Sequence, residues 1–195
     1  MEFLDNIKDY RISLASASPR RRELMQLLCV SFDVAEPVEV DEVYPETLEA
    51  HRVPEYLSRL KAGAYRTHMT AHDLYVTADT VVIVDGEVIG KPTDETDACR
   101  MLARLSGRTH TVVTGVTLCT LDRMESFSVS TDVEFAPLSG EEIRFYVERF
   151  RPLDKAGAYG IQEWIGAVGI RGINGSFYNV MGLPVHRLWS ALRDF

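Results

Sequence analysis

The apolar positions of this chain change period several times, and each change marks an element. Arg11-Ile12-Ser13-Leu14-Ala15 reads as a short strand. Ser16-Ala17-Ser18 turns the chain, and Ser18-Pro19 starts a helix, with a hydroxyl at the N-cap and proline at the first helical position. That helix runs on through Leu28, with Leu24, Leu27 and Leu28 as its apolar stripe. Residues 30–35 read as a second strand, and residues 36–49, acidic and broken by Pro37 and Pro45, as a loop. Residues 54–69 carry Tyr56, Leu57, Leu60 and Ala64 at helical spacing. Val81 to Val84 is a β-branched run that suits a strand covered on both faces.

Asp85-Gly86 is a hairpin turn leading back through Glu87-Val88-Ile89. Thr93-Asp94 caps a helix with Ala98, Met101, Leu102 and Leu105 on one face, and Ser106-Gly107 ends it. Residues 109–121 form a long strand, and a turn at Asp122-Arg123 leads to a second over 124–135. There Phe127, Val129, Val133 and Phe135 alternate with Ser128, Ser130, Asp132 and Glu134, giving one dry face and one wet one. Ser139 and Glu142 make a capping box for a helix that buries Ile143, Tyr146, Val147 and Phe150. Residues 151–162 are rich in small residues and have no period. Residues 168–173 read as a strand, Asn174-Gly175 as a turn, and Met181-Gly182-Leu183-Pro184 as the start of a last helix with Val185, Leu188, Trp189 and Leu192 inward. Strands and helices alternate without a repeat, a low-complexity segment or a linker. The expectation is a single α/β domain over 1–195, with residues 1–10 as an N-terminal extension.

Composition narrows the class. A chain of 195 residues that is 46% hydrophobic can build a substantial core. Lysine and arginine total 21 against 29 aspartates and glutamates, a net charge of −8. Such a balance argues against nucleic acid as a partner, because that affinity comes from neutralising phosphates. A small phosphorylated ligand stays open, since a few local cations can override the global sign. Cys29, Cys99 and Cys119 are scattered and odd in number, and read as reduced thiols in a cytoplasmic protein. Residues 1–10 hold no secretory apolar core, and no apolar run approaches the roughly 20 residues that span a bilayer, so no membrane is expected.

Two stretches carry candidate chemistry. Asp79 interrupts the apolar strand Thr77-Ala78-Asp79-Thr80-Val81. A carboxylate there is costly to desolvate, so it caps a turn, pairs with a cation or does chemistry. Arg20, Arg21 and Arg22 sit in the first turn of a helix, where the macrodipole disfavours each cation by roughly 0.3–1 kcal/mol. With Ser16, Ser18 and the free helix amides they describe an anion site, the alternative being a solvated basic face. Lys61 lies within a helix, and Lys91 is held on a stiff turn between Gly90 and Pro92. Asp41-Glu42 in the acidic loop could bring ligands to a divalent cation. Neither common glycine-rich phosphate loop, nor a zinc-spaced histidine pair, nor a nucleophile elbow is present. The five histidines are dispersed.

Six short motifs stand in one order: Leu14-Ala15-Ser16-Ala17-Ser18-Pro19-Arg20-Arg21, Ala78-Asp79-Thr80-Val81-Val82, Gly90-Lys91-Pro92, Leu105-Ser106-Gly107-Arg108-Thr109-His110, residues 154–162, and Val180-Met181-Gly182-Leu183-Pro184. Together they resemble the Maf family of nucleoside triphosphate pyrophosphatases, from about Ile12 to Leu192. The resemblance implies an α/β fold with a mixed, strongly bent sheet and flanking helices in two lobes around a deep cleft, related to inosine triphosphatase. It implies hydrolysis of a nucleotide to the monophosphate and pyrophosphate with a divalent cation, magnesium or manganese. Asp79 then corresponds to the catalytic proton acceptor, Arg21, Thr80 and Gln162 to specificity positions, and Lys61, Lys91 and Glu42 to further charged groups of the site. The Ala-Tyr-Gly-Ile-Gln form at 158–162 resembles the branch acting on dTTP and UTP, with modified pyrimidine nucleotides and nucleotide-pool sanitation as the associated role. The alternative is a nucleotide-binding regulator of cell division whose hydrolysis is incidental. Homodimerisation is left open.

The chemistry of such a reaction gives each group work. Attack at an α-phosphorus needs an activated water, a cation on the phosphate oxygens and charge relief for departing pyrophosphate. Asp79 suits the water or the metal, with Glu42 as a second metal ligand. Arg20, Arg21 and the helix start suit the phosphate chain, and Lys61 and Lys91 suit developing charge. Gln162 offers a donor and an acceptor that match the imide edge of uracil or thymine. One departure from the family pattern follows it: Glu163-Trp164 stands where a small residue is expected.

Overall fold

The computed structural model describes residues 2–195. Its strands and helices follow one another as β1 (Arg11–Leu14), α1 (Pro19–Gln26), β2 (Asp33–Val34), α2 (Val53–Tyr65), β3 (Asp73–Val84), β4 (Glu87–Ile89), α3 (Glu95–Leu105), β5 (Thr109–Cys119), β6 (Met124–Phe135), α4 (Gly140–Phe150), α5 (Trp164–Gly169), β7 (Ile170–Asn174), α6 (Phe177–Met181) and α7 (Val185–Asp194). One seven-stranded sheet has the order β2-β1-β3-β5-β6-β7, with β4 paired to β3. β1 is parallel to both β2 and β3, while β3–β4 and β6–β7 are antiparallel, so the α/β sheet is mixed as expected. The chain folds as two compact units. One comprises the chain up to Asp79, Thr114–Val129 and Gly182–Phe195; the other comprises Thr80–Val113 and Ser130–Met181.

In the first unit β1 lies between two parallel neighbours, and Leu14 faces Val34 on one side and Val76 on the other. Leu14, Leu74 and Val76 are fully buried there. α1 contributes Leu24 and Met25 to the core, whereas Leu27 is 57% exposed. The stripe expected from Leu24, Leu27 and Leu28 shifts because the helix stops at Gln26 and Cys29 turns away in a left-handed conformation. The second strand is also shorter than its hydrophobic run, since only Asp33 and Val34 find register with β1.

α2 starts at Val53 and buries Leu57, Ser58, Ala62 and Tyr65, leaving Tyr56 on its outer side. Its first turn presses against β5 at Gly115. A Cβ there would lie 2.3 Å from the backbone nitrogen of Glu55, so only glycine permits the contact. Hydroxyls then lock α2 to the sheet. Ser58 Oγ lies 2.8 Å from Thr117 Oγ1, which lies 2.9 Å from Ser126 Oγ, and Thr77 donates to the Ser58 carbonyl at 2.7 Å. Ser58 is one helical turn before Lys61, and Thr77 is two strand residues before Asp79. The same bonds therefore fix both charged groups relative to each other.

The second unit has its own core, built from Val82, Val84, Leu102, Leu105, Val133, Phe135, Tyr146, Val147, Tyr159 and Ile165 among others. The Val81–Val84 run is buried throughout, at 2–5% exposure. Asp85 and Gly86 both take positive φ, the twist a two-residue hairpin needs. Asp94 caps α3 by accepting from the Asp97 amide at 2.8 Å, and both halves of the Ser139–Glu142 capping box are made. The strand expected at 168–173 begins only at Ile170, because Val168 and Gly169 belong to the short helix α5. α6 was not foreseen. It turns on Ser176, and its one buried residue is a polar Asn179 that donates to the Val112 carbonyl and to Thr131 Oγ1.

Candidate active site

Asp79 is 8% exposed, at the point where β3 leaves the first unit. Its Oδ1 accepts from Lys61 Nζ of α2 at 2.6 Å. The same ammonium lies 3.1 Å from Glu42 Oε1, which arrives from the acidic loop. Three of the charged residues singled out in this unit therefore meet at one nitrogen. The pair is mostly buried, with side-chain exposures of 18% for Lys61 and 12% for Asp79, whereas Glu42 is half exposed. The buried carboxylate has the cation that its desolvation demands.

Arg21 stands beside the same segment. Its Nη1 donates to the carbonyl of Ala78 and its Nε to that of Gly182, each at 2.8 Å. One guanidinium thus joins α1, the residue before Asp79 and the start of the last segment. Burial pushes its pKa down and the Asp79 charge pushes it back up. Arg21 works here as a cross-tie, a use that the sequence pattern did not reveal. Ser16 Oγ accepts from the Ser18 amide at 3.3 Å, shaping the turn into α1. The Ser18 side chain does not cap the helix, and Arg20 lies half-buried in the first turn behind it.

Thr80, Lys91 and Gln162 lie in the second unit. Thr80 is half-buried and follows Asp79 directly on β3, while Lys91 is exposed. The turn that carries Lys91 is tied down by a bond from the Gly157 amide to the Gly90 carbonyl at 3.0 Å, which links two of the sequence motifs. Gly157 has φ of +68° and its α-carbon faces Val82 so closely that a Cβ would lie 2.9 Å from a Val82 methyl. Gln162 is exposed on a turn, Gly160–Glu163. The unusual Glu163-Trp164 pair is taken up internally. Glu163 pairs with Lys155 at 3.1 Å and accepts from the Tyr146 hydroxyl, and Trp164 meets Phe145 edge-on with ring centroids 5.0 Å apart. Sequence reasoning missed Tyr146 and Lys155 as partners. The only signals were an Asp-Lys pair in a small-residue loop and the Glu163 departure itself.

Among the described residues no three metal-ligating side chains cluster. Asp79 and Glu42 nevertheless both reach the Lys61 ammonium, at 2.6 and 3.1 Å, so two carboxylates already face one cation. An ion of the magnesium type commonly takes one or two carboxylates and completes its shell with water and substrate phosphate, so this donor pair fits such an ion. Among the described residues no helix is long and apolar enough to cross a membrane.

The chain has a mixed α/β fold that is also found in Ham1 proteins. The Ham1 protein of Staphylococcus aureus superposes with a TM-score of 0.58 over 94% of this chain and 98% of that one, at 18% identity. A HAM1 protein from Coxiella burnetii gives 0.50 over 95% and 100%, at 14% identity. The family described as Maf-like protein matches residues 11–195, and the chain belongs to that family. Curated relatives include proteins named dTTP/UTP pyrophosphatase from Porphyromonas gingivalis, 55% identical over 98% of each chain, and Phocaeicola vulgatus, 52% identical over 97% of this chain and 98% of that one. Another of that name, from Bacteroides thetaiotaomicron, is also 52% identical.

Proposed function

We propose that the protein hydrolyses dTTP and UTP to the monophosphate and pyrophosphate. The observation that carries the reading is the Lys61 ammonium held between the Asp79 and Glu42 carboxylates. Full-length similarity to proteins named dTTP/UTP pyrophosphatase supports it. Asp79 takes the proton from the water that attacks the α-phosphorus. Lys61 aims that carboxylate, and Lys61 and Lys91 offset charge that builds on the phosphate oxygens and the leaving group. Ser16, Ser18, Arg20 and the open amides of α1 receive the phosphate chain. Arg21 holds Ala78, and through it Asp79, in place while adding positive charge.

Asp79 and Glu42 would hold the magnesium or manganese ion that arrives with the nucleotide. The ion supplies charge neutralisation on the phosphate oxygens. Thr80 and Gln162 read the base, Gln162 with a donor and an acceptor for the imide edge of uracil or thymine. A cytoplasmic setting, where these nucleotides are made and used, goes with the three free cysteines.

The test is a panel of dTTP, UTP, CTP, ATP and GTP, each with and without magnesium or manganese, with the products separated. The reading expects pyrophosphate and monophosphate, fastest from dTTP and UTP, and only with metal. Release of orthophosphate, or a purine preference, would contradict it.

A further inference from the structure

The second unit holds a set of buried polar and charged groups that the chemistry above does not use. The Glu163 amide donates to the Gly160 carbonyl at 3.0 Å, so Gly160–Glu163 is a β-turn with Ile161 and Gln162 at its corners. Ile161 is buried and Gln162 is exposed, so the turn presents one polar side chain outward. Both ends of the turn are clamped to a single hydroxyl. The Gly160 amide donates to Tyr146 Oη at 3.0 Å, and Tyr146 Oη donates to the Glu163 carboxylate.

The other oxygen of Glu163 lies 3.1 Å from Lys155 Nζ, which also donates to Asp154 at 2.8 Å. Lys155 is 8% exposed and Tyr146 is fully buried, so the clamp sits on packed groups. Burial, and then Glu163, push the Tyr146 phenol pKa upward, which keeps its proton available for donation. There is no slack in the backbone. A Cβ on Gly160 would lie 2.9 Å from the Glu163 carboxyl carbon, and one on Gly166 would lie 1.7 Å from the Ile161 carbonyl oxygen. The amides of Gly166 and Ala167 both donate to the Glu163 carbonyl.

We propose that Glu163, acting through Tyr146 and Lys155, is a positioning residue that fixes the Gln162 turn and so sets selectivity for the nucleotide base. The proposal rests on the reading of Gln162 as the base contact. Rejecting a wrong base by hydrogen bonding requires donor and acceptor to be fixed, because a side chain that can swing satisfies either pattern. An exposed turn residue without this clamp would swing, and a misplacement of about 1 Å is enough to cost roughly 100-fold in rate.

The experiment measures kcat and KM for dTTP, UTP, dCTP and CTP in the wild type, Gln162→Ala, Glu163→Gln, Tyr146→Phe and the Gln162→Ala/Glu163→Gln double variant. Glu163→Gln and Tyr146→Phe are expected to lower the preference in kcat/KM for uracil and thymine over cytosine by roughly tenfold, mainly through KM. Adding Glu163→Gln to Gln162→Ala is expected to lower it no further, because both act at one point. A preference that falls in Gln162→Ala but persists in Glu163→Gln and Tyr146→Phe would overturn the proposal and leave the Gln162 reading intact. A preference that survives Gln162→Ala would overturn the Gln162 reading, and the proposal with it. An equal loss on all four nucleotides in the clamp variants would make the clamp purely structural and also overturn the proposal. If Glu163→Gln fails to fold, Tyr146→Phe carries the comparison.

Discussion

His110 makes stability depend on pH in a way that can be worked through. It lies on β5 at 2% exposure, edge-on to Phe135 and Tyr159, with one ring nitrogen 2.7 Å from the Tyr159 hydroxyl. Its Nδ1 is buried and has no hydrogen-bond partner among the described residues. Burial lowers the imidazole pKa from 6.5 to about 4, and the Asp132 charge only partly offsets this. The folded state therefore resists a proton that the unfolded chain accepts. Stability from this group is intact above pH 6.5 and is lost as pH falls toward 4. Linkage makes the loss about 0.2 kcal/mol at pH 7, about 2 kcal/mol at pH 5 and about 3 kcal/mol at pH 4.

The assay is urea denaturation at pH 5, 6, 7 and 8 on the wild type and on His110→Gln. Glutamine keeps a hydrogen-bonding group near Tyr159 but cannot take the proton. The variant should be less stable at pH 7 yet lose about 2 kcal/mol less than the wild type between pH 7 and 5. Asp73 does not confuse the window. Burial disfavours its charge, but bonds from Thr70 and Arg11 outweigh this and lower its pKa, so its share is lost only below pH 3.8. Equal slopes from pH 7 to 5 in both proteins would mean that His110 titrates normally in the fold, and the reasoning would fail.

Gly115→Ala should destabilise the first unit by more than the roughly 1–3 kcal/mol of ordinary overpacking, since its Cβ meets backbone at 2.3 Å. Urea midpoints within error of wild type would contradict that contact. Arg21→Ala removes two charge-assisted bonds to buried carbonyls, and should cost about 3 kcal/mol of stability as well as raising KM. Arg21→Lys should recover little of it, because an ammonium cannot span both carbonyls. A variant that binds weakly but melts like wild type would return Arg21 to the role of a plain phosphate ligand.

What could be read along the chain divides by the range of the interaction. The capping box at Ser139, the hairpin at Asp85-Gly86 and the α3 stripe are local, and each was legible and is present. The end of β2 was not, because it depends on where β1 finds a partner, and neither was that of α1, beyond which Cys29 takes a left-handed conformation. α6 escaped because its one inward residue is Asn179, whose burial makes sense only with Thr131 and Val112 in place. At the site, the interrupted strand pointed to Asp79 and the family resemblance added Lys61 and Glu42, and the three meet within 3.1 Å at the Lys61 ammonium. The bonds from Arg21 to two carbonyls, and from Glu163 to Tyr146 and Lys155, join residues distant in sequence through backbone groups and a core phenol. No residue pattern announces those.

The most direct measurement is the steady-state rate of Asp79→Asn on dTTP, taken with its nucleotide affinity and melting temperature. Asparagine can still accept from Lys61, so the variant should fold, at some cost in stability from the lost ion pair. The account predicts that kcat at saturating nucleotide and metal is lower by about 100-fold or more in a variant that still melts cooperatively and still binds nucleotide. A kcat equal to that of the wild type would remove Asp79 from the chemistry and contradict the account.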